Sequence, residues 1–305
     1  MTLALLFPGQ GSQFVGMGKA LAEASPQARS VFDGADEALG FSLSRLCFEG
    51  PEEELRLTVN TQPAILTHSI AALRELEARL PQRVAGAAFA AGHSLGEYSA
   101  HVAAGTLAFD DAVRLVRERG RFMQEAVAPG VGLMAAIVGL SPEDVEAACR
   151  ESACGEVVAP ANFNSPEQTV IAGHAAAVAR ACELCTARGA KRAIPLVVSA
   201  PFHCGLMAPA RARMEPLLRS VPMSDPRFPI VTNVDARPAT AASELRDALE
   251  RQIDGPVRWV ESVRRLAADG VDRMIEIGPG KVLSGLVKRI DRAIGLESYA
   301  GPGPS

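Results

Sequence analysis

The 305-residue sequence predicts an α/β protein with a mostly parallel sheet and a smaller inserted subdomain. Short apolar runs at Leu3–Phe7, Ala87–Ala91, Pro229–Thr232 and Arg273–Ile277 alternate with longer helical patterns. Strands that alternate with helices are typical of a parallel sheet. The middle of the chain has a different pattern, in which two strand candidates follow each other directly.

This middle segment, residues 128–198, contains six predicted elements over roughly seventy residues. They are strands at Gly132–Val138, Glu156–Asn162, Gln168–Ile171 and Arg192–Val198, and helices at Pro142–Arg150 and Ala175–Ala187. An Asn164-Ser165-Pro166 turn separates the two central strands. The order β-α-β-β-α-β is the ferredoxin-like pattern. We therefore expect an inserted ferredoxin-like (βαββαβ) subdomain at 128–198 and a large α/β domain formed by residues 1–127 and 199–305.

Charge and hydropathy exclude several classes of function. The net charge is −4 and no run of lysine or arginine is present, so a nucleic-acid partner is not expected. No uncharged stretch approaches the ~20 apolar residues that span a bilayer, so no membrane segment is expected. The run Leu3–Phe7 ends at Pro8 and follows no basic region, so no signal peptide is expected.

The six cysteines are scattered, and the C-x-x-C pair Cys182/Cys185 has no second pair at zinc-finger spacing. We expect buried thiols in a reducing compartment, hence a cytoplasmic protein without a bound metal. A monomer is expected because the sequence has no coiled-coil pattern. Residues 301–305, Gly-Pro-Gly-Pro-Ser, are expected to form a disordered tail.

A G-x-S-x-G motif at Gly92–Gly96 lies between a strand pattern and a helix pattern. A nucleophile elbow requires this context, because its serine occupies a strained strand-to-helix turn. The helix N-terminus and the Leu95 N–H would then face the oxyanion that forms when Ser94 attacks an acyl group. A glycine-rich turn with an N-capping serine explains the motif alone equally well.

A serine nucleophile needs a base, and His203 is the best candidate among five histidines. It lies in the loop Ala200–Gly205, and catalytic groups are often presented on loops. The other four lie at the sharp turn itself or in helical patterns: His68, His93, His101 and His174. The sequence identifies no carboxylate that would complete a triad.

The predicted helix Asp111–Glu125 has an arginine on its apolar face. At about 100° per residue, Arg119 falls in the middle of an arc of apolar side chains. These are Ala112, Leu115, Val116, Phe122 and Met123. A buried guanidinium without a partner is very costly, so Arg119 is expected to meet a carboxylate. An internal Asp or Glu and a substrate carboxylate are equally consistent with this position.

The candidate residues belong to an ordered series of motifs that covers nearly the whole chain. The series comprises Phe7–Gln13, Asn60–Ala64, Gly92–Glu97, Arg119-Gly120, Asn162–Pro166, Phe202–Cys204, Thr232–Ala236, Gln252 with Pro256–Trp259, and Glu276–Gly280. It resembles the malonyl-CoA:acyl carrier protein transacylases of fatty-acid synthesis and the related acyltransferase domains of polyketide synthases. Several motifs in order are far more specific than any one of them.

The resemblance implies a ping-pong transfer of a malonyl group from malonyl-CoA to a holo acyl carrier protein, without a cofactor. Ser94 would be the nucleophile, and His203 would act as general base and then as general acid. A backbone carbonyl near Gln252, rather than a carboxylate, would orient the histidine. The implied fold is a hydrolase-like α/β domain that carries the ferredoxin-like insertion.

The resemblance also implies binding roles. The backbone N–H groups of Gln10 and Leu95 would form the oxyanion hole, and Arg119 would pair with the malonyl carboxylate. Gln252 and Asn162 would belong to the substrate-binding residues. Phe202, directly before the histidine, would crowd an α-methyl group, since a Phe there accompanies malonyl and a Ser methylmalonyl in related polyketide acyltransferases.

Two other functions share parts of this pattern. A serine acyl hydrolase or thioesterase would also use a G-x-S-x-G serine, and a non-catalytic module could bind carrier proteins with the same fold.

Gly278–Lys281 lacks the spacing of a phosphate loop and is expected to be a packing turn. Because carrier proteins are acidic, basic residues are docking candidates: Lys191, Arg192, Lys281, Lys288 and Arg289.

Overall fold

Two β-sheets organise the protein, as seen in a computed structural model that describes residues 2–301. Apart from Gly301, the predicted disordered tail lies outside the described residues. The described strands are β1 (Thr2–Phe7), β2 (Ala87–Gly92), β3 (Gly132–Val138), β4 (Val158–Ser165), β5 (Gln168–His174), β6 (Arg192–Pro195), β7 (Ile230–Val231), β8 (Pro238–Ala239), β9 (Val271–Ile277) and β10 (Gly295–Tyr299).

Helices surround both sheets. They are α1 (Lys19–Ala24), α2 (Pro26–Leu39), α3 (Leu43–Glu49), α4 (Glu52–Leu55), α5 (Thr58–Arg79), α6 (Pro81–Ala85), α7 (Leu95–Ala103), α8 (Phe109–Glu125), α9 (Pro142–Ser152), α10 (Ala175–Ala187), α11 (Ala208–Ser220), α12 (Ala242–Gln252), α13 (Trp259–Ala268) and α14 (Val282–Ile290). Within residues 2–301, none of these helices is both long and apolar enough to cross a bilayer.

The first sheet has the strand order β10-β9-β1-β2-β7-β8. All of its pairs are parallel except β7 with β8, so the prediction of a mostly parallel sheet is confirmed. The four strands expected from apolar runs are β1, β2, β7 and β9. The sequence did not indicate β8, which has two residues, or the edge strand β10, whose residues are half-buried or exposed.

Both faces of this sheet are covered, which explains the continuous apolar run of β1. Leu5 and Phe7 pack into the larger hydrophobic cluster, which includes much of α5 and α8. Ala4 and Leu6 point to the opposite face and pack with Trp259 of α13. Side chains alternate between the faces of a strand, so a strand buried on both sides must be apolar at every position.

The second sheet is antiparallel with the strand order β4-β5-β3-β6. Its elements follow the predicted order, β3-α9-β4-β5-α10-β6. Ala135 and Ile137 of β3 pack in a separate cluster with α9 and α10. The alternate residues Met134 and Ala136 pack in the larger cluster of the first sheet. One face of this sheet therefore has its own core, and the other lies against the rest of the protein.

Several predicted boundaries in this region were wrong. The strand expected at Glu156–Asn162 lies at Val158–Ser165, and the strand expected to end at Ile171 continues to His174. The strand expected at Arg192–Val198 ends at Pro195, because this edge strand is largely exposed and Val197 and Val198 lie on the surface, where no core holds them. The turn expected at Asn164–Pro166 starts later, because β4 continues through Ser165 and pairs there with Gln168 of β5.

The carboxyl ends of the parallel strands form one edge of the first sheet. Phe7 of β1 lies beside Gly92 of β2, and Ala91 of β2 lies beside Val231 of β7. The segments that follow these strands therefore meet there, and ligands of open α/β sheets bind at such an edge. They contain Gln10, Ser94 and Asn233.

Candidate active site

Ser94 occupies a strained turn between β2 and α7. Its backbone has φ 51° and ψ −110°, a conformation that L-residues rarely adopt. A Cβ on Gly92 would lie 1.9 Å from the carbonyl carbon of Gly96, and one on Gly96 would lie 2.0 Å from the carbonyl oxygen of Phe7. The glycines of the G-x-S-x-G motif are therefore required by close backbone contact, as the elbow interpretation predicts.

His203 is hydrogen-bonded to this serine. Its Nε2 lies 2.6 Å from Ser94 Oγ, while its Nδ1 lies 2.9 Å from the backbone oxygen of Gln252 and 3.2 Å from that of Gly255. Carbonyl oxygens only accept hydrogen bonds, so Nδ1 carries the proton and Nε2 is free to accept one from Ser94. His203 also has a positive φ, 59°.

The environment of His203 keeps its ring neutral. Burial lowers the pKa of His203 to about 3, and the positive charge of Arg119 acts in the same direction. Hydrogen bonds from Nδ1 to the carbonyl oxygens of Gln252 and Gly255 oppose this shift without reversing it. At neutral pH the imidazole is therefore available as a proton acceptor.

The other histidines have different surroundings. His93 Nε2 lies 2.8 Å from Asn164 Oδ1 in the second sheet. His68 and His101 are buried in α5 and α7, and burial lowers their pKa values to about 4 and about 3. His174 Nδ1 accepts a hydrogen bond from the Val157 N–H. Among the described residues, His203 is the only histidine bonded to Ser94.

Arg119 is buried, as its position on the apolar face of α8 predicted. Its guanidinium donates hydrogen bonds to Gln62 Oε1 at 2.8 Å, to Gln252 Oε1 at 2.9 Å and to Ser94 Oγ at 3.1 Å. Of the two partners left open by the sequence, the internal Asp or Glu is absent: within residues 2–301 no carboxylate lies within ion-pair distance of Arg119. Two amide oxygens and a hydroxyl accept hydrogen bonds from its two terminal nitrogens instead, while its Nε has no hydrogen-bond partner among the described residues.

Sequence reasoning missed three side chains that support this arrangement. Asn233 Oδ1 accepts a hydrogen bond from the Ser94 N–H at 2.6 Å, Glu97 accepts from the Asn233 N–H, and Gln62 binds Arg119. All three lie within the motifs of the family resemblance. No local pattern distinguishes them there, because each acts on residues far away in the sequence.

A cavity of about 190 Å³ opens at Ser94. It is lined by the predicted site residues Gln10, Ser94, Leu95, Arg119, Asn162, Phe202 and His203. Leu95 is the first residue of α7, so its N–H has no intrahelical acceptor. The Gln10 side chain lies 3.4 Å from Thr58 Oγ1, which is 2.6 Å from Ser199 Oγ. The structure thus gathers the predicted residues, and Gln252 through its bonds to Arg119 and His203, around one hydroxyl.

The predicted docking residues differ in their surroundings. Arg192 and Arg289 line one groove of about 590 Å³ together with Arg292. Lys191 lies 3.8 Å from Glu167 and is paired with it. Lys281 precedes α14, and Lys288 lies in the last turn of that helix.

Comparison with known proteins places this arrangement in a family. A family model described as an acyl transferase domain matches residues 4–298. The malonyl CoA-acyl carrier protein transacylase of Escherichia coli (strain K12) is 52% identical over 287 residues, which cover 94% of this chain and 92% of the relative. The protein of the same name from Bacillus subtilis (strain 168) is 49% identical over 301 residues, covering 98% and 94%.

Solved structures agree. An acyl carrier protein S-malonyltransferase from Vibrio cholerae O1 biovar eltor has a TM-score of 0.94 and 46% identity, covering 99% of this chain and 98% of that one. A structure described as a type II PKS acyl-carrier protein in complex with its malonyl-transacylase has a TM-score of 0.96 and 46% identity, covering 99% and 97%. The chain belongs to the malonyl-CoA:acyl carrier protein transacylase family, as its motifs predicted.

Proposed function

We propose that this protein transfers a malonyl group from malonyl-CoA to the phosphopantetheine thiol of an acyl carrier protein, through a malonyl ester on Ser94. One observation carries the assignment to this site: the buried guanidinium of Arg119 lies 3.1 Å from the Ser94 hydroxyl and has no carboxylate partner within residues 2–301. A guanidinium at that distance suits an acyl group that ends in its own carboxylate.

The first half-reaction follows from the proton positions. His203 Nε2 takes the Ser94 proton while Oγ forms a bond to the thioester carbonyl carbon. The resulting oxyanion is stabilised by the backbone N–H groups of Leu95 and Gln10. The C–S bond then breaks, and the imidazolium returns its proton to the leaving CoA thiolate.

The second half-reaction reverses these steps with another thiol. His203 Nε2 takes the proton of the carrier thiol, whose sulfur attacks the malonyl ester. When the C–O bond breaks, the proton passes to Ser94 Oγ and the free enzyme returns. Protein groups supply every proton transfer, so the reaction needs no cofactor.

We assign the pantetheine arm of the thioester substrate to a groove that adjoins the cavity at Ser94. This groove of about 720 Å³ shares Gln10, Leu196 and Val198 with the cavity at Ser94. Phe14 and Val197 give it exposed apolar walls. The long and largely uncharged pantetheine arm of CoA or of a carrier protein suits this path.

The subdomain assignments are also part of the proposal. We infer that residues 128–198 form an inserted ferredoxin-like subdomain, and that residues 1–127 and 199–305 form a hydrolase-like α/β domain. The separate apolar cluster beneath the second sheet and the β-α-β-β-α-β order support the first assignment. The strand-turn-helix around Ser94 supports the second. We further propose that the protein is cytoplasmic and acts as a monomer.

We propose that the acidic carrier protein docks on the groove lined by Arg192, Arg289 and Arg292. None of these three forms an ion pair within the described residues, so their charges are available to a partner. Lys288 directly precedes Arg289 in α14, while Lys191 is already paired with Glu167.

Intact-protein mass spectrometry after brief exposure to malonyl-CoA tests the function. We expect a malonyl adduct on the wild type and none on Ser94→Ala, followed by loss of the adduct when holo carrier protein is added. Loss of the adduct to water at the same rate without carrier protein would favour the hydrolase alternative. No adduct from any acyl-CoA would favour the non-catalytic module.

A further inference from the structure

Glu97 is a fully buried carboxylate close to the catalytic groups. It lies in the first turn of α7, three residues after Ser94, with no exposed surface. Within residues 2–301, no cation lies within ion-pair distance of it, and its Oε1 has no hydrogen-bond partner. A buried carboxylate with so few partners is costly, which points to a role other than stability.

The other carboxylate oxygen of Glu97 connects two residues that hold different parts of the site, Asn233 and Gln252. Glu97 Oε2 accepts hydrogen bonds from the Asn233 N–H and from Gln252 Nε2, both at 2.9 Å. Asn233 in turn accepts from the Ser94 N–H and donates to the Gly92 carbonyl, so it fixes the strained turn. A single oxygen therefore connects the nucleophile's turn to Gln252.

Gln252 carries this connection to the base and to the acyl site. Its backbone carbonyl accepts from His203 Nδ1, and its side chain accepts from Arg119 and donates to the Ser94 carbonyl. Glu97 thus reaches the serine, the histidine and the arginine, each through one intermediate residue.

The charged groups that face Glu97 are few. Arg119 of α8 favours its ionised form, whereas Asp235, in the turn between β7 and β8, opposes it. Burial is the largest influence and raises the pKa of Glu97 to about 7. When a substrate carboxylate reaches Arg119, two carboxylates share one cation, and the buried one is then favoured in its protonated form.

We propose that Glu97 is a positioning residue for acyl transfer, which holds Asn233 and Gln252 as one unit and balances the charge of Arg119 until a malonyl carboxylate replaces it. The inference rests on the proposed function, because it takes the malonyl carboxylate to bind Arg119. Ionised Glu97 competes electrostatically with that carboxylate, so binding of malonyl-CoA weakens as the pH rises through the range in which Glu97 ionises.

The test uses the full-length protein and the rate of Ser94 acylation by malonyl-CoA. Glu97→Leu leaves two buried donors unsatisfied, and we expect kcat to fall about 100-fold. Glu97→Gln keeps an acceptor oxygen, and we expect it to lose less than about tenfold. In the wild type, KM for malonyl-CoA should rise about tenfold between about pH 6 and about pH 8. Glu97→Gln should abolish this rise.

Glu75→Gln is the matched control, because Glu75 is a buried carboxylate of α5 that bonds to Tyr299 and does not contact the site. We expect it to keep the wild-type pH dependence of KM. Retention of kcat within about threefold by a folded Glu97→Leu variant would overturn the positioning role. If that variant does not fold, the Glu97→Gln profile decides: a KM that still rises with pH contradicts the proposal. A wild type that acquires no malonyl group would instead contradict the proposed function itself.

Discussion

Arg119 donates a hydrogen bond to Ser94 Oγ at 3.1 Å, so the proposed acyl-binding cation touches the proposed nucleophile before any substrate arrives. This separation limits the acyl group. Its carboxylate must reach the guanidinium while its carbonyl carbon is bonded to Oγ, and only a short diacid chain fits between them. The same contact places Arg119, which would select the acyl group, beside Ser94, which would be acylated.

Replacement of Arg119 should change acyl preference more than it changes folding. We expect Arg119→Ala to lower acylation by malonyl-CoA about 30- to 1000-fold, because a buried charge-assisted contact is lost. Acylation by acetyl-CoA, which has no second carboxylate, should fall far less. The measurement is the ratio of malonyl to acetyl adducts by mass spectrometry. Arg121→Ala, an exposed change on the same helix, is the control, and an unchanged ratio in Arg119→Ala would contradict the carboxylate role.

The acid limb of the pH profile should lie far below the ordinary range of histidine. Because burial lowers the pKa of His203 to about 3, its ring stays neutral and able to accept the serine proton as the pH falls. We expect the acylation rate at saturating malonyl-CoA to stay level from about pH 8 to about pH 5. Rapid-quench measurements across this range are the check. A midpoint near pH 6.5, the usual value for an exposed histidine, would show that the ring is more accessible to water than the structure indicates.

Gly96 should not tolerate a side chain. A Cβ there would lie 2.0 Å from the Phe7 carbonyl oxygen, so Gly96→Ala must separate α7 from β1. We expect the free energy of unfolding to fall by about 2–4 kcal/mol, as measured by urea denaturation. Gly285→Ala in α14 is the matched control, since nothing lies within 4 Å of a Cβ there. That change should raise stability by about 0.5–1 kcal/mol, and equal effects at the two sites would contradict the contact argument.

Phe202 should set the tolerance for a branched acyl group. It lines the cavity beside His203, so we expect Phe202→Ser to raise the ratio of methylmalonyl to malonyl acylation about tenfold. Competition between the two CoA esters, followed by mass analysis of the Ser94 peptide, measures this ratio. Phe202→Leu retains bulk and should leave it near the wild-type value. A serine variant with the wild-type ratio would show that other residues exclude the methyl group.

Charge reversal in the groove lined by Arg192, Arg289 and Arg292 should act on the second half-reaction. We expect the double change Arg192→Glu with Arg289→Glu to raise KM for holo carrier protein about tenfold, with a weaker dependence on salt. Acylation by malonyl-CoA should be retained. Arg150→Glu on α9, which lies outside the groove, is the control. If acylation by malonyl-CoA weakens instead, the groove binds the phosphates of CoA and the docking assignment is wrong.

The parts of the site that depend on local chain geometry were predictable. The G-x-S-x-G motif between a strand and a helix specified the turn at Ser94, and the periodicity of α8 specified that Arg119 is buried. The partners of Arg119 were not predictable, because Gln62 and Gln252 lie 57 and 133 residues away along the chain. An amide is also a less obvious partner for a buried guanidinium than a carboxylate.

The strands, too, were predictable only in part. Strands buried on both faces, such as β1 and β2, are recognisable as continuous apolar runs. The edge strand β10 pairs through its backbone with β9 while its side chains stay half-buried or exposed, so its sequence lacks such a run. Where pairing is decided by position in the fold rather than by side chains, sequence patterns have little to detect.

Ser94 and His203 both have backbone angles in the left-handed region, at φ 51° and 59°. Glycine adopts this region freely, and other residues do so at a cost of order 1–3 kcal/mol each. At both positions, replacement by glycine would therefore relax the backbone most, and it would also remove the reacting side chain. The fold is held short of its greatest attainable stability at its two reactive residues, and selection for heat resistance alone would drive this protein toward an inert relative.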